Sequence, residues 1–208
     1  QIEDDTFTFN PKRVIEFCKK VKHFGLRITL PNSIRADAPI NHDKRLEMFQ
    51  HMVEAGFTKV GISAEHGDQE FLDKVVGKRL DLAEVVASVE LGHKAGLMVH
   101  TNFMMGFPFE TEKHREKTIN FSKSLNSDSF SVSLAAPLPG TKLWDICEKH
   151  SLFMPQFDVN RLVYDVVNII PFDITPEDLL ETVITLNSEL NHAARQRSKS
   201  ANDHYNLF

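Results

Sequence analysis

The distribution of apolar residues along the chain predicts four helices, each followed at once by a β-rich run. Within each helix the apolar side chains recur every three or four positions, which places them on one face. Three of the helices end at glycine, which adopts the left-handed C-cap conformation without steric cost. The helices are predicted from Pro11 to Gly25, from about Leu46 to Gly56, from Asp81 to Gly96 and from Thr111 to a turn at 126–128; the strands are predicted at residues 26–30, 59–63, 97–105 and 129–134.

This alternation predicts an α/β fold with a parallel sheet covered by helices, because helical crossovers join parallel strands. The helix-ending glycines Gly25, Gly56 and Gly96 are 31 and 40 residues apart. These spacings approach the length of one strand–helix–strand unit, about 30 residues or more. Four or five strands fit either an open doubly wound sheet or part of a (β/α) barrel, and periodicity does not choose between them.

The pattern weakens after residue 134. We predict a turn at Pro137 to Gly140, a short helix over residues 142–149, a strand over residues 162–170, and a last helix that starts after Thr175. No shift in composition marks a second domain. We therefore expect one domain, with a main unit over residues 1–150, a strand and helix extension over residues 151–194, and a flexible polar tail over residues 195–208.

Composition limits the class of function. The net charge of -5 and the pI near 6.1 argue against a nucleic-acid surface, which needs clustered Lys and Arg. The two cysteines, Cys18 and Cys147, are too few for a disulfide framework and suit a reducing cytoplasm. No apolar run reaches the roughly 18 residues of a membrane helix. The first residues resemble the end of a strand-to-loop unit, so we expect the chain to be cut from a larger protein.

Polar residues follow the predicted strands, where parallel α/β folds bind their ligands. Glu65 comes directly after a buried strand, and ribose hydroxyls are suitable donors for such a carboxylate. The alternative is that Glu65 belongs to the cap of a helix that starts near Asp68, and that His66 is a solvated loop residue. Arg35 either offers its guanidinium to a carboxylate ligand or pairs with Asp37 at the surface.

Two further loops carry candidate residues. Asp4 and Asp5 are suited to coordinate a cation or contact substrate hydroxyls, and equally to serve as loop and capping residues. After the third predicted strand, Gly106 allows a close backbone approach, Pro108 fixes a turn, and Glu110 lies at the start of the next helix.

Taken in order, these loops resemble radical S-adenosylmethionine (SAM) enzymes, most closely the members that carry a cobalamin-binding domain. Each motif is weak alone, but five in sequence at compatible spacing form a strong signal. The resemblance implies a partial TIM-like barrel, with residues 1–150 as the later strands of a (β/α)6 barrel. The motifs are Asp-Asp-Thr-Phe-Thr (4–8), Arg-x-Asp (35–37), Ala-Gly-Phe (55–57) before Ser-Ala-Glu-His-Gly (63–67), Met-Gly-Phe-Pro-x-Glu-Thr (105–111) and Pro-x-Pro-Gly-Thr (137–141).

The resemblance also implies where SAM and substrate bind. Glu65 corresponds to a polar residue near the SAM ribose, and the stretch from Met104 to Gly106 to an apolar strand end near the adenine. Asp5 and Arg35 would face the substrate or SAM side of the cavity. The residues expected to bind SAM are Ser63, Glu65, Asn102, Met104, Met105, Gly106 and Pro137.

The cofactors implied for the intact protein are SAM, a 4Fe-4S cluster and, in some members, cobalamin. The family's CxxxCxxC loop binds three irons and leaves the fourth for SAM; neither this loop nor the Gly-Gly-Glu-type motif occurs here. The implied chemistry is formation of a 5′-deoxyadenosyl radical, or methylation through cobalamin. Expected partners are a small-molecule or biosynthetic substrate and the missing amino-terminal part.

The sequence leaves two alternatives: a cluster-free aldolase- or isomerase-type barrel using Glu65 or Glu110, and a degenerate binding scaffold.

We predict that the 208-residue chain by itself binds no iron–sulfur cluster and cleaves no SAM, because its cysteines lack the spacing of a cluster loop. Iron and sulfide analysis of the purified chain, with chromatography of SAM incubated with it under reductant, checks this. A brown, iron-loaded preparation would contradict it.

Overall fold

In the described part of the chain, three parallel strands and the helices between them form the centre of the structure. The computed structural model describes residues 1–4, 7–161 and 163–205. Short 3-10 turns cover Phe7–Phe9, Lys22–Phe24 and Val159–Arg161, and a π-helical turn, Leu72–Val76, continues α3. The helices and strands are α1 (Pro11–Val21), α2 (His42–Glu54), β1 (Lys59–Glu65), α3 (Gln69–Phe71), α4 (Leu82–Ala95), β2 (Met98–Met105), α5 (Glu112–Ser124), β3 (Ser129–Leu134), α6 (Lys142–His150) and α7 (Pro176–Tyr205).

Two irregular segments extend the sheet beyond β1. The chain near Ile28 and Ile34 forms isolated parallel bridges beside β1, and the amide of Ile2 donates a hydrogen bond to the middle of that segment. Residues 26–34 therefore do not form the regular strand that the sequence predicts. Pro31 lies between the two bridges and has no amide hydrogen, which interrupts the ladder.

The five segments lie side by side in the order in which they occur in the chain. Residues 1–4 contact the segment at 26–34, which borders β1, and the sheet order is then β1–β2–β3 with both pairs parallel. A doubly wound sheet reverses its strand order near the middle, whereas a barrel wall does not. The continuous order confirms the prediction of a partial barrel.

The helices cover one face of this wall with an apolar core. Strand residues alternate, so every second side chain enters the core. The predicted caps Asn10 and Asp81 accept amide hydrogen bonds at the starts of α1 and α4. A glycine is required at position 56 because a Cβ there would lie 1.8 Å from the carbonyl oxygen of Leu26. The core side chains include Met48, Phe49 and Met52 of α2, Val60 and Ile62 of β1, Val99, Phe103 and Met105 of β2, and Phe130, Val132 and Leu134 of β3.

The outer edge of β3 is closed by side chains of α7. The Asn191 side chain accepts from the amide of Phe130 and donates to its carbonyl, at 3.0 Å each. Asn187, one helical turn earlier, makes the same pair of bonds with Val132, at 2.8 and 2.7 Å. The amide two residues further along β3 donates to the carbonyl of Tyr164. The groups that would accept a neighbouring strand are therefore occupied, and the sheet can be extended only at its other edge.

The segment between α6 and α7 differs from the sequence prediction. In place of a strand over residues 162–170, the structure has one antiparallel bridge between Phe153 and Ile169. The Asn168 side chain donates to backbone carbonyls earlier in the same segment and bends it into turns. Leu162 lies outside the described residues.

Helix α7 is longer than the sequence indicates. The Thr175 hydroxyl accepts from the amide of Asp178, as predicted for this helix start. The helix then continues to Tyr205, beyond Arg195, and the flexible tail predicted from Arg195 onward stays a prediction. The Arg197 guanidinium donates to a carbonyl before β3 and holds this turn in place. No helix among the described residues is long and apolar enough to cross a membrane.

We expect Asn187→Leu to lower the free energy of unfolding by about 1–3 kcal/mol, because the Val132 amide and carbonyl lose their partners. Thr185→Leu, which places the same side chain at an exposed position of α7, is the control. Urea denaturation measures both. Equal stability of the two variants would show that the asparagine does not close this edge.

Candidate functional site

A cavity of about 670 Å³ opens at the carboxyl ends of the strands. Glu65 lines it from the end of β1, Met104 from the end of β2, and Ala136 from the loop after β3. Among the described residues it combines an apolar wall with one carboxylate and three cations. The apolar wall comprises Val75, Val76, Met104, Phe107, Ala136, Leu138 and Leu143, and the polar lining comprises Arg35, Glu65, Lys78, Arg79, Thr141 and Tyr164.

Glu65 holds a strained backbone conformation at this cavity. Its φ is +68°, and the amide of His66 donates to the carbonyl of Ala64 at 2.9 Å. This arrangement is the rare γ-turn with a positive φ at its centre. The pairing of β1 with β2 also shifts between Ser63 and Glu65, which re-aims the Glu65 side chain. Strained residues of this kind cost about 1–3 kcal/mol and persist only where their surroundings enforce them.

Lys78 fixes the Glu65 side chain. Its ammonium group donates to Glu65 Oε1 at 2.8 Å and to the Ser63 carbonyl at 2.7 Å. Glu65 Oε2 has no hydrogen-bond partner among the described residues, so that oxygen is available to a ligand. The pair lines the cavity rim and is partly exposed, so solvent screens its ion pairing.

Behind the cavity wall, the carboxylate of Glu110 joins the ends of β1 and β2. Its Oε1 accepts from His66 Nε2 at 3.0 Å and its Oε2 accepts from the Gly106 amide at 2.5 Å. His66 Nδ1 accepts from the amide of Asp68, which places the ring hydrogen on Nε2. The His66 and Glu110 side chains are 0% and 1% exposed. The alternative in which His66 is a solvated loop residue is therefore wrong, and Glu110 binds strand ends rather than serving the next helix.

Arg115 extends this network toward α7. Its guanidinium donates to the Glu110 carbonyl at 3.1 Å and to Asp173 Oδ1 at 2.6 Å. Asp173 Oδ2 also accepts from the amide of Glu112, the first residue of α5. The loop after β2 is thereby tied to the segment that precedes the last helix.

Asp68 caps α3 behind the same wall, as the sequence allows. Its carboxylate accepts from the amides of Glu70 and Phe71 and from Lys117 Nζ at 2.7 Å. Burial acts to raise the pKa of Asp68, but the hydrogen bonds and the charge of Lys117 outweigh it, so the pKa lies below its ordinary value of 3.8.

Arg35 makes the ion pair with Asp37 that one of its two alternatives gives it, and its binding of a carboxylate ligand stays a prediction. Its guanidinium lines the cavity, and it also pairs with Asp37 through bonds of 2.6 and 3.0 Å and donates to the carbonyl of Arg79. The fully buried Arg45 holds the loop that follows Asp37. The partners of the Arg45 guanidinium are the Pro39 carbonyl, Ser88 Oγ and Glu84 Oε2.

Gly106 and Pro137 adjoin the cavity without lining it. Each is buried beside a residue that does line it, Phe107 and Ala136 respectively. A Cβ on Gly106 would lie 3.1 Å from Leu179 Cδ2, and the φ of Gly106 is +81°. This glycine therefore makes room for α7, and the ligand approach that the resemblance implies for it stays a prediction.

The structure does not bring the remaining predicted residues into the cavity. Met105 is buried in the core on the opposite face of β2 from Met104, because side chains alternate along a strand. The Asn102 side chain donates to Ser33 Oγ at 2.6 Å inside the barrel. Ser63 lines a separate space of about 220 Å³.

Of the two amino-terminal aspartates, Asp5 lies outside the described residues. Asp4 pairs with Arg13 at 2.6 Å, which fits the structural alternative for that residue.

Sequence reasoning misses Lys78, Phe107 and the buried role of His66. Phe107 lies within the motif at 105–111 and is detectable there. A lone lysine in a loop gives no comparable signal. The partner of His66 is 44 residues away, so only the fold identifies it.

The described residues do not fit an iron–sulfur cluster. Cys18 and Cys147 are both buried, in different apolar clusters. Burial raises the pKa of each thiol to about 11, whereas cluster ligands are thiolates. In the described part of the chain, no three or more His, Cys, Asp and Glu side chains are grouped to hold a metal ion.

Comparison with known proteins identifies the family. The profile of the radical SAM superfamily matches residues 4–122. An uncharacterized methyltransferase of Pyrococcus horikoshii is 32% identical over 151 residues, which are 73% of this chain and 32% of that protein. The cytidylyl-2-hydroxyethylphosphonate methyltransferase of Streptomyces wedmorensis is 24% identical over 213 residues, covering 99% of this chain and 39% of that protein.

Solved structures support the same fold. TsrM from Kitasatospora setae, a radical SAM methyltransferase with cobalamin and a 4Fe-4S cluster bound, matches 85% of this chain and 36% of its own, with TM-score 0.60 and 16% identity. HemN from Escherichia coli, a radical SAM coproporphyrinogen III oxidase, matches 87% of this chain and 37% of its own, with TM-score 0.57 and 17% identity.

The fold defines part of a (β/α) barrel with a cavity at the carboxyl ends of its strands. The chain belongs to the radical SAM superfamily. It spans about a third to two-fifths of the length of the two relatives named above.

The lowered pKa of Asp68 predicts a pH-dependent contribution to stability. A carboxylate whose pKa is lower in the folded state stabilises it fully above the unfolded pKa, and this contribution is lost as the pH falls through the folded pKa. We expect Asp68→Asn to lower the free energy of unfolding at neutral pH, with the deficit shrinking once the pH falls below about 4. Denaturation curves between pH 7 and pH 2.5 measure this; a deficit that grows on acidification would contradict it.

Proposed function

We propose that this chain binds the adenosyl group of SAM within a radical SAM enzyme, with the ribose at Glu65 and the adenine on the apolar wall. The observation that supports this most is the strained Glu65 turn beside the apolar residues Met104, Phe107 and Ala136. A carboxylate at a strand end is a suitable acceptor for ribose hydroxyls. An apolar slot with few polar groups suits a planar base.

In this proposal, the residues of this chain bind and orient the adenosyl group and shield it from water. Lys78 holds Glu65 Oε1 and so leaves Oε2 to accept a hydrogen bond from ribose. Phe107 and Leu143 exclude water from the base. In the family, SAM on a reduced cluster supplies the radical or the methyl group, and we assign the cluster ligands to another part of the parent protein.

The reaction class that we favour is methyl transfer to a small molecule. The support comes from the relatives, since the Pyrococcus and Streptomyces proteins are both named methyltransferases, as is TsrM. Two anaerobic magnesium-protoporphyrin IX monomethyl ester cyclases also match, at 25% and 24% identity. Because fold alone does not fix a substrate, the adenosyl site is the part of the proposal that we test.

Titration of the chain with 5′-deoxyadenosine, followed by NMR of methionine methyl groups labelled with ¹³C, tests the site. We expect the Met104 methyl signal to shift, because this residue lines the cavity. Met48 and Met52 of α2 are fully buried in the core and serve as internal references. Shifts at those two with none at Met104 would place the ligand elsewhere and refute the proposal.

The Glu65→Gln variant tests the ribose contact in the same titration. We expect its affinity to fall about tenfold to a hundredfold, the value of a hydrogen bond to a charged group. Glu16→Gln, which breaks an exposed glutamate–lysine pair of 2.7 Å on α1, is the matched control and should bind as the wild type does. Unchanged binding by Glu65→Gln would exclude Glu65 from the ribose site.

A further inference from the structure

Two walls of the cavity are joined behind it by one buried pair of side chains. Glu65 belongs to the end of β1, and Met104 and Phe107 belong to the end of β2. The β1–β2 register shifts between Ser63 and Glu65, which still pairs with Phe103, so the ladder alone does not set the direction of the Glu65 carboxylate. Some other interaction has to hold Glu65 in place relative to the Phe107 wall.

The contact between His66 and Glu110 connects the ends of β1 and β2. His66 directly follows Glu65, and its own amide closes the strained turn. Its ring donates to Glu110 Oε1, while Glu110 Oε2 accepts from the Gly106 amide, next to Phe107. The His66 ring also lies against Phe71, with centroids 4.5 Å apart, and edge-on to Phe107 at 6.2 Å. The ring therefore has one orientation in which all of these contacts are made.

We propose that His66 and Glu110 are positioning residues for the adenosyl site: they set the direction of the Glu65 carboxylate relative to the Phe107 wall. This inference rests on the proposed function and adds to it a residue pair that does not line the cavity. If the pair served stability alone, apolar packing of equal volume would replace it at little loss, because replacing both partners of a buried hydrogen bond by apolar groups of the same shape is often nearly neutral.

The test compares two ligands that differ by one ribose hydroxyl, 5′-deoxyadenosine and 2′,5′-dideoxyadenosine. We expect the wild type to prefer the first by about tenfold or more, through the Glu65 carboxylate. His66→Leu keeps Glu65 but removes the ring that closes the pair, so we expect the preference to fall to about onefold to threefold. Calorimetry or the methyl NMR titration gives both affinities.

Three further variants make the result specific. His66→Gln retains a side-chain donor toward Glu110 and should recover part of the preference, whereas Glu110→Gln presents a donor to His66 and should lose it. His93→Leu, the matched control for His66→Leu, removes another histidine–carboxylate pair, with Asp128 at 2.9 Å, and should keep the full preference. If His66→Leu fails to fold, Glu110→Gln and His66→Gln decide the question.

The outcomes distinguish the adenosyl site itself from the positioning role of His66 and Glu110. A wild type that binds neither ligand, or both equally, overturns the adenosyl site and this inference together. A wild type that discriminates, with His66→Leu and Glu110→Gln that discriminate equally well but unfold at lower temperature, overturns the positioning role and leaves the adenosyl site intact.

Discussion

The buried carboxylate of Glu110 is the constraint on which the arrangement of the site depends. A carboxylate removed from water is costly unless donors surround it. Here those donors are the His66 ring and the Gly106 amide, which belong to the ends of two different strands. Arg115, bonded to the Glu110 carbonyl and to Asp173, adds the segment before α7. The carboxylate and the backbone carbonyl of Glu110 together therefore join three separate parts of the chain beside the cavity.

The two edges of the sheet differ in the groups that contact their backbone. Asn187 and Asn191 occupy the backbone of β3, while at the far edge the amide of Ile2 donates to the carbonyl of Thr29. The inner face between these edges is polar: His100 contacts Ser129, Ser131 and Asn102, and burial lowers the pKa of this histidine, with the charge of Lys59 acting in the same direction.

The sequence predicts the parts of the fold that depend on local chemistry. Asp81 and Gly96 delimit α4 because capping and a left-handed C-cap are local requirements. Sequence-based prediction fails where contacts with distant parts of the chain determine the structure. Residues 26–30 form only isolated bridges next to Pro31 instead of a regular strand. Helix α7 extends further because Arg197 contacts the loop before β3. At the site, Glu65 and Met104 are found from motifs, but the choice of Met104 over Met105 needs the register.

The backbone of Glu65 gives the strongest reason to regard the cavity as a working site. A glycine at φ +68° would remove the strain at once, since only glycine adopts this conformation freely. The chain instead keeps a glutamate there and holds it through Lys78 on one side and the His66 turn on the other. Two sets of contacts that maintain an unfavourable conformation are hard to explain by stability, because the relaxed alternative needs neither. They are explained if the carboxylate must point in one direction, which is what the proposed ribose contact requires.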